Sequence, residues 1–399
     1  MKCDENKPFC QKCKDTGRPC DGYESIFRRV PDECVIKGHN SGAKSVVTLH
    51  PVLSTPIPTK EIDVLSRCFH TKTVYGSDLG CNDEARQILE AGLSDSSIRH
   101  AVSALRALRE DFEKSGNKPV LATQQTPSLD YGTQQYCLAL KGLATHLSVS
   151  SGLNGLKSAL LCCQLFISIE QVRENYTTVA QHIIQGLRIM QENRLRPTLD
   201  VAQRFVPAHH SGLPLIDIYV IKLLAAPCKL AEMETSAIFS QGLSAVMSTS
   251  MEEPLLKDTD LRTIAPDLRT DLSNIATSVL TYLGAVSRGE SAEDLIQLLS
   301  RKTLMLGRLR KWLVDRDSFD AKLELPGQEL VSASFTRFLH VVIKITLLTT
   351  LDSCPELCNQ LCTEYDRLRS VAALADAQVK AYRARDRIKS VQGERHGMD

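Results

Sequence analysis

From about Lys60 to Lys389 apolar residues recur at steps of three and four, and strand-like alternation is scarce. Three and four are the spacings that return a side chain to the same face of an α-helix, so the long body of this chain is expected to be all-α. Ser96–Lys114 shows the pattern plainly: Ile98, Val102, Leu105 and Leu108 form one stripe, Ser94 and Asp95 supply capping chemistry, and Gly116 follows the end. Asp130–Ser148 places Tyr136, Leu140, Leu143 and Leu147 on one face. Gly155–Gln171 is apolar nearly all round, through Leu160, Leu161, Cys162, Cys163, Leu165, Phe166 and Ile167, and reads as a core helix. Thr178–Glu192 carries Ile183, Leu187 and Met190, and Thr177 or Thr178 is suited to cap it. Further helices are expected over Leu213–Ala226, Met233–Ser248, Asp267–Val286, Ala292–Arg316, Glu329–Leu351 and Leu357–Ile388, with loops at Pro119–Pro127 and Leu195–His210. No repeat of fixed length is present.

Composition narrows the partners. The net charge is +1, so any contact with nucleic acid must come from a local patch rather than from the chain as a whole. There are 14 cysteines and a polar N-terminus from Lys2 to Lys14 with no leader pattern, which points to reduced thiols in a reducing compartment. Membrane insertion is not expected. The most apolar stretches, Ser158–Ile169 and Phe338–Leu351, are broken by polar residues and suit buried helices.

The densest chemistry lies outside the helical body. Cys3, Cys10, Cys13 and Cys20 are spaced C-x6-C-x2-C-x6-C and run directly into Asp21-Gly22-Tyr23. Deprotonated cysteine is a preferred zinc ligand, and four thiols this close make a metal-ligand set. Cys10-Gln11-Lys12-Cys13 forms a knuckle that brings two sulfurs to one ion, Pro8 stiffens the entry, and Gly17 permits a turn before Cys20. Metal would organise a segment too short to bury a core of its own. Residues 1–24 are therefore a small zinc module. Residues 25–58, broken by Pro31, Gly38, Gly42, Pro51, Pro56 and Pro58, are a linker, and 59–399 is the helical body.

These residues carry a family resemblance. Lys2-Cys3-Asp4, Lys7-Pro8-x-Cys10-x2-Cys13, Gly17-Arg18-x-Cys20 and Asp21-Gly22-Tyr23 resemble the second half of a fungal Zn2Cys6 binuclear-cluster DNA-binding domain. The resemblance implies that Cys3, Cys10, Cys13 and Cys20 match the third to sixth cysteines of the cluster and ligate Zn, with Cys10 a bridging ligand. It also implies that Lys2 and Arg18 contact the DNA backbone. The first two cysteines and most of the basic helix that reads a CGG half-site in the major groove have no counterpart in the chain. Two expectations follow. An upstream segment supplies Cys-x2-Cys and the basic helix, which the retained prolines, glycine and Asp-Gly-Tyr exit favour, or half the motif has been lost and the remainder regulates without binding DNA itself. A binuclear cluster of the family's arrangement cannot close on four ligands, whereas one tetrahedral zinc held by all four thiolates is chemically possible with a different geometry.

The body resembles the family too. "SDSSIRHAVSALRAL", "QQYCLALKGL" and "LKSALLCCQLFISIEQVRENYTTVAQHIIQGLRIMQE" are similar to blocks of the fungal-specific transcription factor domain, over about residues 60–200. That domain is all-α and is taken to serve regulation, dimer contacts or effector response rather than catalysis.

Other groups have ordinary readings. Cys354, Cys358 and Cys362 share a helix face but span roughly 12 Å, too far for one ion, and read as small buried hydrophobes. Cys162-Cys163 reads as core, His182 as a hydrogen-bonded packing residue, Gly186 as a site of close helix crossing, and His209-His210 as a solvated loop. Arg28, Arg29 and Lys37 suit either phosphate contact or a solvated linker, and the basic tail Lys380–Arg395 suits an exposed helix end or an import patch. No phosphate loop, G-x-S-x-G elbow, H-E-x-x-H pair or Rossmann fingerprint occurs, and no catalytic residue is assigned. The expectation is a nuclear, zinc-dependent, sequence-specific regulator of RNA polymerase II transcription that binds DNA as a homodimer or heterodimer. The competing expectation is a helical interaction protein that acts on a partner transcription factor.

Overall fold

The structure, a computed structural model, describes residues 57–69, 80–114, 126–149, 152–200, 202, 204–225, 258–288, 292–322, 331–351 and 357–395. The zinc module, nearly all of the linker and the expected helix Met233–Ser248 lie outside the described residues, as do Arg28, Arg29, Lys37 and Cys354.

What is described is helical, as the periodicity requires. The elements are α1 (Thr59–Phe69), α2 (Asn82–Gly92), α3 (Ser96–Lys114), α4 (Pro127–Val149), α5 (Leu153–Val172), α6 (Tyr176–Glu192), α7 (Ile216–Ala225), α8 (Asp258–Arg288), α9 (Ala292–Lys322), α10 (Val331–Thr349) and α11 (Leu357–Arg395). Pro127, expected in a loop, opens α4, where its fixed φ and missing N–H suit a first helical position. The stretch expected as a loop from Leu195 to His210 contains a short antiparallel ribbon, β1 (Thr198–Leu199) and β2 (Phe205–Val206), with Thr198 opposite Val206 and Leu199 opposite Phe205.

Helix α5 occupies the centre. Every side chain from Ser158 to Val172 is buried, so the helix must be covered on all sides. It is long and apolar enough to cross a membrane, but here its surroundings are the other helices of the protein. Helices α3 and α6 cover most of it, with α1, α4 and α7 closing the remainder. The second half of the body is built from α8 with α9 and from α10 with α11; α7 packs on both α8 and α10, and α11 reaches back to α6. A single apolar core runs from Ile62 in α1 to Val379 in α11. Cys162 and Cys163 are in it, as expected.

Two local contacts set helix spacing. A Cβ on Gly186 would sit 2.9 Å from Ile216 Cγ1, so glycine is what lets α6 and α7 cross this closely. In the second half, Trp312 donates its indole N–H to Leu268 O at 2.7 Å and stacks on His340, with ring centroids 5.3 Å apart. His340 Nε2–H donates to Leu309 O at 3.2 Å, which fixes this buried imidazole between α9 and α10.

Burial pushes the His340 pKa down from 6.5 to about 4; the Leu309 carbonyl only partly offsets this. The unfolded chain therefore binds a proton here that the folded chain refuses between those values. The stability that this site supports is complete above pH 6.5 and drains as pH falls toward 4, by up to roughly 3 kcal/mol. Urea titrations across that window should show this acid limb in the wild type and a flatter one in His340→Gln. An equal slope in both would contradict the assignment.

Candidate functional site

The block of strongest family resemblance folds into α5, a tight turn and α6. Its polar residues gather at the turn, where α4 and α11 also arrive. Helix α5 ends as Asn175 N–H donates to Glu170 O at 2.9 Å, with Glu174 in the left-handed region at φ 57°. That is a Schellman-type ending, in which glycine is the ordinary residue. Glutamate bears the steric cost here, and its carboxylate is engaged by the guanidinium of Arg383 in α11. Helix α6 ends in the same way, with Arg194 at φ 47° and its carbonyl accepting from His209 N–H at 2.9 Å.

The start of α6 is capped twice. Asn175 Oδ1 accepts from Thr178 N–H at 3.4 Å, so asparagine, and not Thr177 or Thr178, is the local cap. The stronger cap comes from across the molecule. Asp376 of α11 accepts from Tyr176 N–H at 2.5 Å and from Thr177 N–H at 3.0 Å, and it also accepts from the Thr177 hydroxyl. A carboxylate here satisfies orphan N–H groups and meets the positive end of the α6 dipole. Tyr176 packs edge-on against Phe335 of α10 at 4.8 Å, and Tyr365 of α11 donates to Gln191 at 3.2 Å at the far end of α6. Helix α11 thus grips α6 at both ends.

The inner side of the turn holds Glu170, which is 1% exposed. Arg173 Nη1 donates to Glu170 Oε1 at 2.7 Å, and the same guanidinium lies 5.7 Å from the centre of the Tyr136 ring. Tyr136 packs edge-on to Phe166 at 5.3 Å, and its hydroxyl lies 3.4 Å from His182 Nε2. Burial, with the neighbouring Glu170 carboxylate, raises the Tyr136 pKa. Burial lowers that of His182, against a smaller opposing pull from Glu170. The cluster therefore presents a neutral phenol and a neutral imidazole beside an ion pair whose carboxylate is buried and whose guanidinium is exposed. His182 is the hydrogen-bonded packing residue that the sequence suggests.

A fully buried pair ties the halves of the body together. Arg196 makes a two-pronged contact with Asp217, at 2.7 and 2.8 Å, and donates to Ser287 Oγ at 3.1 Å in α8. Breaking such a pair on one side strands a buried charge. Nothing in the local sequence marks Arg196, Asp217, Asp376 or Arg383. Their partners lie tens to hundreds of residues away, and only the fold brings them together.

Reactive groups are correspondingly muted. Burial lifts the Cys81 and Cys163 thiols to about 12, which leaves them protonated and inert. Cys362, expected to be buried, is exposed instead, because it sits on the outer side of α11. Arg383, in the tail expected to be exposed, is buried against Glu174. His209 is exposed, in keeping with a solvated loop. Among the described residues no three His, Cys, Asp or Glu side chains are grouped to hold a metal. Cys3, Cys10, Cys13 and Cys20, with Lys2 and Arg18, lie outside the described residues.

The site is thus a set of helix clasps, suited to a regulatory body. Over 388 residues the chain is 50% identical to the transcription regulator lscL of Purpureocillium lilacinum, a match covering 96% of this chain and 92% of that protein. The chain belongs to a family of fungal transcription regulators. It is also 24% identical over 348 residues to the aspercryptin biosynthesis cluster-specific transcription regulator atnN of Emericella nidulans, covering 81% of this chain and 53% of that protein. Both are named as transcription regulators rather than as enzymes. No family model and no solved structure matches the chain.

If the Asp376 cap holds α6 in place, Asp376→Ala should lower stability by about 2 kcal/mol, the upper range for a lost cap, because charge-assisted bonds go with it. Asp376→Asn, which keeps an acceptor and loses the charge, should cost about half as much. Chemical denaturation of the full chain reads both. Equal stability of all three proteins would show that the cap is dispensable.

Proposed function

We propose that this family member regulates RNA polymerase II transcription in the nucleus through a zinc module that reaches DNA. The observation that carries the reading is the donor set of Cys3, Cys10, Cys13 and Cys20: four thiols with turn residues between them suit the closed thiolate shell of a structural zinc site. The kinship with named transcription regulators supports the DNA-directed role. Zn would order residues 1–24, and its chemistry is structural. Lys2 and Arg18 then sit beside the metal loop and contact phosphate, which gives affinity without base preference. In the resemblance that the comb carries, base reading belongs to a basic helix that precedes the third cysteine. The helical body of 59–399 serves regulation and contacts with a second protein, a like chain or a different one.

A second reading, a helical regulator that acts on a partner transcription factor, is favoured by the charge balance of +1, which gives the body no general affinity for nucleic acid. Gel-shift titration separates the two. The zinc-loaded chain and a version preceded by Cys-x2-Cys and a basic helix are compared on CGG-containing and scrambled duplexes. The chain alone should bind weakly, with steep salt dependence and no sequence preference. The extended version should prefer CGG. Strong CGG preference by the chain alone would overturn the assignment of base reading. Loss of preference in both would favour the partner-acting reading.

A further inference from the structure

Helix α9 has two apolar faces, and only one is used. Its inner face, Leu298, Met305, Leu309 and Trp312, is buried against α8 and α10. On the opposite side Ile296, Ser300, Leu304, Gly307, Lys311 and Val314 follow one another at steps of four, four, three, four and three, and all are exposed. Such steps align the six residues in one stripe, about 27 Å long. Ile296, Leu304 and Val314 are 70%, 65% and 59% exposed, the highest values among the described large apolar side chains. Helical geometry places Arg301 and Arg308 along one edge of the stripe and Arg310 along the other. Among the described residues none of these three arginines, nor Lys311, has a carboxylate partner. The acidic residues of α9 lie at its two ends, Glu293 and Asp294 before the stripe and Asp315, Asp317 and Asp320 at its close, and Asp317 is 3.6 Å from Arg337.

Gly307 adds an independent sign. It interrupts a 31-residue helix, and a Cβ built there meets nothing within 4 Å. Among the described residues no contact calls for glycine, although it weakens a helix by about 1 kcal/mol relative to alanine. It leaves the stripe without a side chain midway along its length.

We infer that the outer face of α9 is a docking surface for an acidic amphipathic helix of another protein, whose apolar ridge lies on Ile296, Leu304 and Val314 and whose carboxylates flank Arg301, Arg308 and Arg310. Charge decides among the occupants. A second copy of α9 would bring cationic edges against cationic edges, which disfavours self-pairing as like charges do beside any helix seam. A nucleic acid would satisfy the cations but leave a line of exposed apolar side chains against phosphate. An apolar ridge edged by glutamate or aspartate satisfies both features together.

The test uses the full chain and two labelled model helices about three heptads long, with leucine at the seam positions and either glutamate or lysine on the flanks. By fluorescence anisotropy the glutamate helix should bind and the lysine helix should not. Joint Arg301→Glu, Arg308→Glu and Arg310→Glu substitution should reverse that preference, by roughly tenfold or more. Leu304→Asp should abolish binding of either helix while the circular dichroism of the chain stays unchanged. If Leu304→Asp disturbs the fold, the charge reversal, made at three exposed residues, decides alone. Equal binding of both helices, or none by the glutamate helix, would overturn the inference. So would self-association of the chain that Leu304→Asp removes, or duplex binding lost on charge reversal and kept in Leu304→Asp.

Discussion

A helix that is apolar on every side cannot sit at a surface, and α5 imposes that constraint on the rest of the molecule. With Ser158 through Val172 all buried, the chain must supply covering helices in every direction. The flanking sequence meets the demand with one-sided helices such as α3, whose Ile98, Val102 and Leu105 face inward. At 25 cal/mol per Å2 or so, burial on this scale is the main favourable term, and the direction of each covering helix follows from it. Two buried hydroxyls on α5 find partners on neighbouring elements: Ser168 shares a hydrogen bond of 2.5 Å with Tyr219 of α7, and Ser158 donates to Asp95 at 2.5 Å. Asp95 in turn caps α3 through Ser97 N–H at 2.8 Å, so one carboxylate serves the helix it precedes and the helix it faces.

The covering helices are then locked from a distance. Asp376 and Arg383 on α11 fasten the α5–α6 turn from 200 and 209 residues away. Arg196 and Asp217 fasten the stretch after α6 to α7 and α8. Hydrophobic packing is tolerant of small rotations, whereas a capping carboxylate and a two-pronged guanidinium fix angle and register. The body is therefore read best as an apolar bundle whose arrangement is specified by a few long-range charged contacts.

Much of this was legible in the sequence, and the limits are physical. Ser96–Lys114 is recovered residue for residue because its stripe, its Asp95 cap and Gly116 all report on the same helix. The core position of Cys162 and Cys163 follows from their apolar neighbours. Short helices α1 and α2 lack enough turns to establish a period, and neither is marked by a clear local cap. The sequence points to threonine for the α6 cap and the structure to Asn175 and Asp376, because hydroxyl, amide and carboxylate caps compete at the same turn and the winner depends on where α11 lies. Cys362 and Arg383 were misjudged for the same reason: which side of α11 faces inward is set by α6 and α10, not by the tail's own composition. The clasp residues carry no local signal at all.

The proposed zinc module would be a separate physical unit, since a segment of 24 residues is too short to bury a core of its own and would depend on metal for its order. Zinc-edge X-ray absorption on the purified chain tests that dependence most directly. A shell of four sulfurs at about 2.3 Å, with no nitrogen or oxygen, is the result expected, and Cys10→Ser together with Cys13→Ser should remove it. A chain that purifies without zinc, or whose zinc shell survives both substitutions, would contradict the assignment of Cys3, Cys10, Cys13 and Cys20 as the metal site.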